Sequence, residues 1–177
     1  RPEPLPAGDT WSGMCPAFHR TLRRPVRRQL AGLVATALVV GAAMAADGLP
    51  VADPPAVSTA DAALADQVVE AVNRYRASQQ LQPLRPSADL AALAATHSAQ
   101  LARLQRLTHA GFEQRFARAR RQTCVENLAA GFTRAEPMIA GWRISPDHHR
   151  NLLDVRVEEV GVASIAGHVT WLACSGR

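Results

Sequence analysis

The chain has 177 residues, 47% of them hydrophobic, which is enough for one domain with its own core. Its formal charge of +5 is concentrated at one end: residues 1–46 hold six arginines against two acids, and the remainder holds 14 arginines against 13 acids. A folded part so nearly neutral gives no support to a nucleic-acid partner, which would need a basic face.

In chain order, residues 1–13 are expected to be an unstructured or mis-called extension. Residues 14–46 carry the three parts of a secretory signal: the arginines Arg20, Arg23, Arg24, Arg27 and Arg28, an uncharged apolar stretch at 30–44, and the small residues Ala43 and Ala45 around Met44. Export is therefore expected, to the periplasm or the extracellular space. The alternative is a retained membrane anchor over residues 30–46, because the apolar run is near the lower length limit for spanning a bilayer. Residues 47–60, rich in proline and alanine, read as a spacer.

Over 61–80, Leu64, Val68, Val69, Val72 and Tyr75 recur three to four residues apart, the stripe of an amphipathic helix. Pro83 and Pro86 break the chain, and Ser87 is a plausible N-cap for a second helix with Leu90, Leu93, Ala94, Leu101 and Leu104 on one side. His97 in that helix reads as a satisfied helix histidine. Residues 111–121 predict a short helix with Phe112 and Phe116 inward and its four arginines mostly outward.

Residues 125–129 form a strand candidate ended by Gly131. Thr133 and Glu136 have the spacing of a capping box for a helix carrying Met138, Ile139 and Trp142. Trp142 reads as core. After Ser145-Pro146, residues 148–153 make one or two turns, in which Asn151 is a capping or cross-linking amide. Residues 157–165 and 168–173 alternate around Ala166-Gly167 and predict a closing hairpin. His149, adjacent to His148 on a helix, points about 100° away and is expected to face solvent; His168, at the hairpin turn, is expected to be exposed. Asn127 is expected to bond backbone in its turn. Ser145 could be drawn as a nucleophile with His148 and Glu126, but no glycine-flanked elbow surrounds it, and the following proline fits a helix start.

Several segments together resemble one family. They are Val72-Asn73-Arg74-Tyr75-Arg76, Leu81-Gln82-Pro83-Leu84, Leu107-Thr108-His109 followed by Phe112 and Arg115, Glu126-Asn127-Leu128-Ala129-Ala130-Gly131, Gly141-Trp142, Ser145-Pro146-Asp147-His148-His149-Arg150-Asn151-Leu152-Leu153, and Val160-Gly161-Val162. Their order and spacing over residues 61–175 resemble the CAP superfamily of cysteine-rich secretory, antigen 5 and pathogenesis-related proteins, especially its short bacterial secreted branch. Pattern and resemblance both imply an α/β fold, a three-layer α/β/α sandwich with a small antiparallel sheet.

The resemblance further implies a cleft lined by His109, Glu126 and His148. Two imidazoles can hold a divalent metal such as zinc, and a carboxylate can orient a ring or act on a bound water. Eukaryotic members have a second acid where this chain has Ser145, which weakens both tight metal binding and a two-carboxylate mechanism. Of three cysteines, Cys15 lies in the leader. The resemblance brings Cys124 and Cys174 together and implies a disulfide; two buried thiols are the alternative.

The function so implied is a monomeric, non-enzymatic secreted module for a small lipid, a glycan or a partner protein, with or without a divalent metal in the cleft, touching a membrane only through an uncleaved leader. The alternative is a metal-assisted hydrolase of peptide or cell-wall material, with His109 and His148 on zinc and Glu126 as general base.

Overall fold

The computed structural model describes residues 57–177 and the backbone of residues 18–20. The predicted extension 1–13, the leader apart from those three residues, and the spacer up to residue 56 lie outside the described residues. Among the described residues no helix is long and apolar enough to cross a membrane.

Strand β1 (Phe18–Arg20) is followed by α1 (Thr59–Ser78), β2 (Arg85–Pro86), α2 (Ala88–Leu104), α3 (Phe112–Ala119), β3 (Cys124–Ala130), α4 (Ala135–Ile144), α5 (Pro146–Leu152), β4 (Glu159–Ile165) and β5 (His168–Cys174). The sheet order is β1-β3-β5-β4-β2. The neighbours β3, β5 and β4 are antiparallel, as expected, and β2 adds a short parallel pair to β4.

Alternation along β5 assigns the two faces. Val169, Trp171 and Ala173 join the larger core with α1, α4 and Leu152 of α5. Leu172 and Cys174 face Leu90 of α2 and Phe112 and Phe116 of α3. Helices therefore cover both faces of the sheet, which is the three-layer sandwich.

Helix α1 begins two residues before the predicted start because Ser58 caps it, its Oγ accepting from the Asp61 N–H at 3.0 Å. Asp61 also reaches the far end of the chain. Its carboxylate accepts from the Ser164 hydroxyl and from the N–H groups of Ala166 (3.3 Å) and Gly167 (3.4 Å). Ala166 and Gly167 both have positive φ, 47° and 72°, as a two-residue hairpin of the tight mirror type requires. An alanine there is strained, and the Asp61 bonds offset that strain.

Helix α2 lies so close over β4 that a methyl on Gly161 would sit 2.1 Å from the Leu90 carbonyl carbon and the Ala91 nitrogen. Only glycine permits that approach. At the end of α1, Arg76 is 2% exposed and donates to the carbonyls of Gln82 (3.0 Å), Leu152 (2.9 Å) and Asp154 (3.0 Å). Asn73 exchanges two bonds with the Leu84 backbone. The Asn73–Arg76 stem thus ties the first helix to β2 and to the end of α5.

Some local expectations change. Helix α4 starts at Ala135 with Arg134 at its N-cap and no capping side chain, so the Thr133–Glu136 box does not form. Ser87 holds the N-cap position of α2 without a side-chain bond. Leu104, in the last turn of α2, is 49% exposed.

Candidate functional site

Glu126 lies in the middle of β3 with no solvent exposure, and three groups fill its two oxygens. Arg115 of α3 donates from Nε to Oε2 and from Nη2 to Oε1, both at 2.8 Å, and His109 Nδ1 stands 2.8 Å from Oε1. The fork matches the planar guanidinium to the planar carboxylate. His109 comes from the loop between α2 and α3, and a carboxylate can only accept, so its Nδ1 carries the hydrogen. His97 of α2 stands behind, with Nε2 at 3.9 Å from Oε1 and at 3.0 Å from the Thr108 carbonyl. A cavity of about 140 Å³ between α2 and α3 is lined by His97, Gln100, Gln114 and Arg115, among others.

The next residue, Asn127, turns to the opposite face and organises α5. Its amide donates to the His148 carbonyl at 3.2 Å, and Asn151 donates to Asn127 Oδ1 (2.9 Å) and to the Glu126 carbonyl (3.1 Å). Trp142, fully buried, donates from its indole to the Leu128 carbonyl at 3.2 Å, and its ring lies 6.4 Å from that of His148. His148 Nδ1 is 2.8 Å from the Ser145 hydroxyl. His109 and Glu126 are thus in direct contact, and His148 is tied to the following residue of the same strand. Cys124, two residues before Glu126, is bonded to Cys174 across the β3–β5 pair, so the disulfide alternative holds over the two free thiols.

Electrostatics follow from this packing. Burial pushes the Glu126 carboxyl up, but the bonds from His109 and Arg115 outweigh it and hold it below the ordinary carboxylate range. Burial pushes His97 down, more than the nearby Glu126 raises it. Burial raises Asp61, yet its bonds to Ser164, Ser58 and the hairpin amides leave it lowered overall.

These shifts have one sign in acid. Below about pH 6.5 the unfolded chain protonates His97 and the folded chain resists; below about pH 4 the unfolded chain protonates Glu126 and Asp61 before the folded one does. In both windows the unfolded state binds more protons as pH falls, so stability is greatest above pH 6.5 and declines in two stages. Urea denaturation at pH 7, 5 and 3.5 checks this; a midpoint that stays level or rises on acidification contradicts it.

Three sequence expectations are corrected here. The arginines of the α3 segment are not mostly outward: Arg115 and Arg121 are each 7% exposed, bound to Glu126 and to Glu159, while Arg118 and Arg120 face solvent. His149 does not simply face solvent, since its Nε2 is 2.7 Å from the Tyr75 hydroxyl, contributed by α1. His168 is buried, with Nδ1 3.0 Å from the Ala166 carbonyl, because the turn folds back over it. Arg115 is the site residue whose role the sequence reading missed. Its place three residues after Phe112 and one before Phe116 was the available signal, since that puts it beside the apolar face.

Among the described residues no group of three or more His, Cys, Asp or Glu side chains is placed to hold one metal ion. His109 and His148 offer two imidazoles, and the Glu126 carboxylate is already filled by a guanidinium. That donor set does not fit a tightly held divalent metal.

The structure is similar to that of a cysteine-rich secretory protein from Staphylococcus aureus subsp. aureus Mu50 (TM-score 0.61, 19% identity, covering 66% of this chain and 39% of that one). It is likewise similar to an extracellular protein containing a SCP domain from Bacillus anthracis str. Ames (TM-score 0.62, 22% identity, 66% and 41%). A third similarity is to an outer surface protein from Borrelia burgdorferi (TM-score 0.55, 19% identity, 62% and 90%). The chain spans about two fifths of the first two proteins. No curated protein matches it. The model of the cysteine-rich secretory protein family, CAP, matches residues 69–170, a stretch that contains the Asn73–Arg76 stem, His109, Glu126, Trp142 and Asn151. With that match over more than half its length and the sandwich it folds into, the chain belongs to the CAP family of cysteine-rich secretory proteins.

Proposed function

We propose that this CAP domain is an exported binding module without catalytic turnover, taking a small lipid, a glycan or a partner protein. The observation that carries the reading is the filled carboxylate of Glu126. A general base needs an accessible oxygen and a pKa near the working pH. Glu126 has neither: both oxygens are engaged by Arg115 and His109, and the group is held ionised in a fully buried position. Such a cluster braces β3 against α3 while α4 and α5 are fastened to the same strand, and it shapes a surface without acting on what binds there.

Export is supported by the Cys124–Cys174 disulfide, which persists in oxidising compartments. It is also in keeping with the two similar structures described as extracellular and outer-surface proteins. For ligand contact, a groove of about 580 Å³ beside α5 is lined by Pro146, His149, Arg150, Leu153, Val155 and Arg156, with the buried Asp154 beneath.

The hydrolase alternative requires His109 and His148 to hold zinc and Glu126 to leave Arg115. Zinc titration by calorimetry on the chain and on a His109→Ala, His148→Ala variant separates the two readings. The expected result is the same weak or absent heat in both. Uptake tighter than about micromolar in the parent chain, lost in the variant, would overturn the module reading.

A further inference from the structure

The two edges of the sheet are finished differently. On one side β2 has only two residues, one of them Pro86, which has no N–H to offer. Such an edge does not template another strand. On the other side β3 runs for seven residues without proline, and its one charged side chain, Glu126, is buried against Arg115.

Hydrogen-bond parity identifies which groups of β3 point outward. The Thr123 carbonyl accepts from the Ser175 N–H, and the Gly131 N–H donates to the Gly167 carbonyl, so odd-numbered residues bond toward β5. Even-numbered residues, 124 to 130, therefore present their N–H and C=O groups to the outer edge. Side chains close part of that edge: the Glu126 carbonyl accepts from Asn151 and the Leu128 carbonyl from Trp142. The stretch Cys124–Glu126 is also met by main chain, the Glu126 carbonyl keeping a second lone pair beside its bond from Asn151. Phe18–Arg20 pair with it antiparallel, Phe18 opposite Glu126 and Arg20 opposite Cys124.

We infer that the outer edge of β3 at Cys124–Glu126 is a strand-acceptor site for an extended peptide, filled by the chain's own Phe18–Arg20 until export removes the leader and leaves the edge open. The inference rests on the binding-module reading and names its partner class. Recognition at such an edge is led by main-chain bonds and makes little demand on sequence. The acceptor is also held rigid in advance. Cys124 is fixed by its disulfide and Glu126 by Arg115 and His109, so docking does not have to order the strand it docks on. A segment on this edge comes close to α5, which carries His148 and His149 and borders the groove.

Amide hydrogen exchange on the full chain tests this. Phe18→Pro together with Arg20→Pro removes the two N–H groups that face β3. Exchange at the Cys124 and Glu126 amides is expected to accelerate about tenfold or more, with Val125 and Asn127, which bond to β5, unchanged. A synthetic peptide of residues 15–23 added to this variant is expected to restore the slow exchange at the same two amides. Equal rates in parent and variant, no restoration by the peptide, or a change spread evenly over all of β3 would each overturn the inference. Failure here leaves the zinc titration as it stands, and zinc uptake would sink the module reading without altering these amide rates.

Discussion

Replacing Glu126 with alanine is expected to destabilise the fold by about 3–5 kcal/mol, the usual cost of stranding one member of a buried ion pair. The carboxylate is fully buried and Arg115 is 7% exposed, so water cannot take over the two lost guanidinium bonds. His109 loses its Nδ1 acceptor in the same step. The cost is therefore one of desolvation more than of Coulomb attraction. It follows that Glu126→Ala combined with Arg115→Met should be more stable than Glu126→Ala alone, because no charge is then left buried without a partner. Urea denaturation of the parent, both single variants and the pair measures this. A loss under about 1 kcal/mol in Glu126→Ala would mean that the cluster does not brace the strand.

Removal of the disulfide, by Cys124→Ala with Cys174→Ala, is expected to cost about 4 kcal/mol on the loop-entropy account for a 50-residue separation. The bond links neighbouring strands already paired at Cys124 and Cys174, so it adds little to the folded state. Its main effect is to limit the unfolded chain, which otherwise gains the freedom of everything between β3 and β5. The same loss should appear in the parent chain under reductant. An unchanged urea midpoint in both experiments would remove the bridge from the stability of this domain. Each of these two changes approaches the lower end of the stability of a typical small domain, about 5–15 kcal/mol, so the double-cysteine variant is best compared near 10 °C.

The helices α1 and α2 and the closing hairpin were legible in the sequence because their signals are local: apolar spacing, proline breaks and an Ala-Gly turn. The His109–Glu126 contact and the disulfide were legible through family resemblance, since residues 17 and 50 positions apart leave no local trace of meeting. Arg115 and Arg76 were missed for a shared reason. Arg115 was read with a mostly outward set and Arg76 was given no role of its own, yet each lies at helical spacing from apolar residues, Arg115 three after Phe112 and Arg76 four after Val72. An arginine on a buried stripe signals a carboxylate or a set of carbonyls waiting inside. His149 was misread because Tyr75, its partner, is 74 residues away in the chain. The short strand β2 went unnoticed because two residues carry no alternation to detect.

The link from Asp61 to Ser164, Ala166 and Gly167 joins positions more than 100 residues apart. On the ribosome, the first helix of the domain therefore emerges well before the turn that its acid will steady. Until the final two strands are translated, the stripe of α1 has no sheet to lie on and the middle strand β5 is missing from between β3 and β4. Assembly is consequently a late and collective event with high contact order, and a nascent chain stopped short of residue 168 would offer its apolar helices to chaperones.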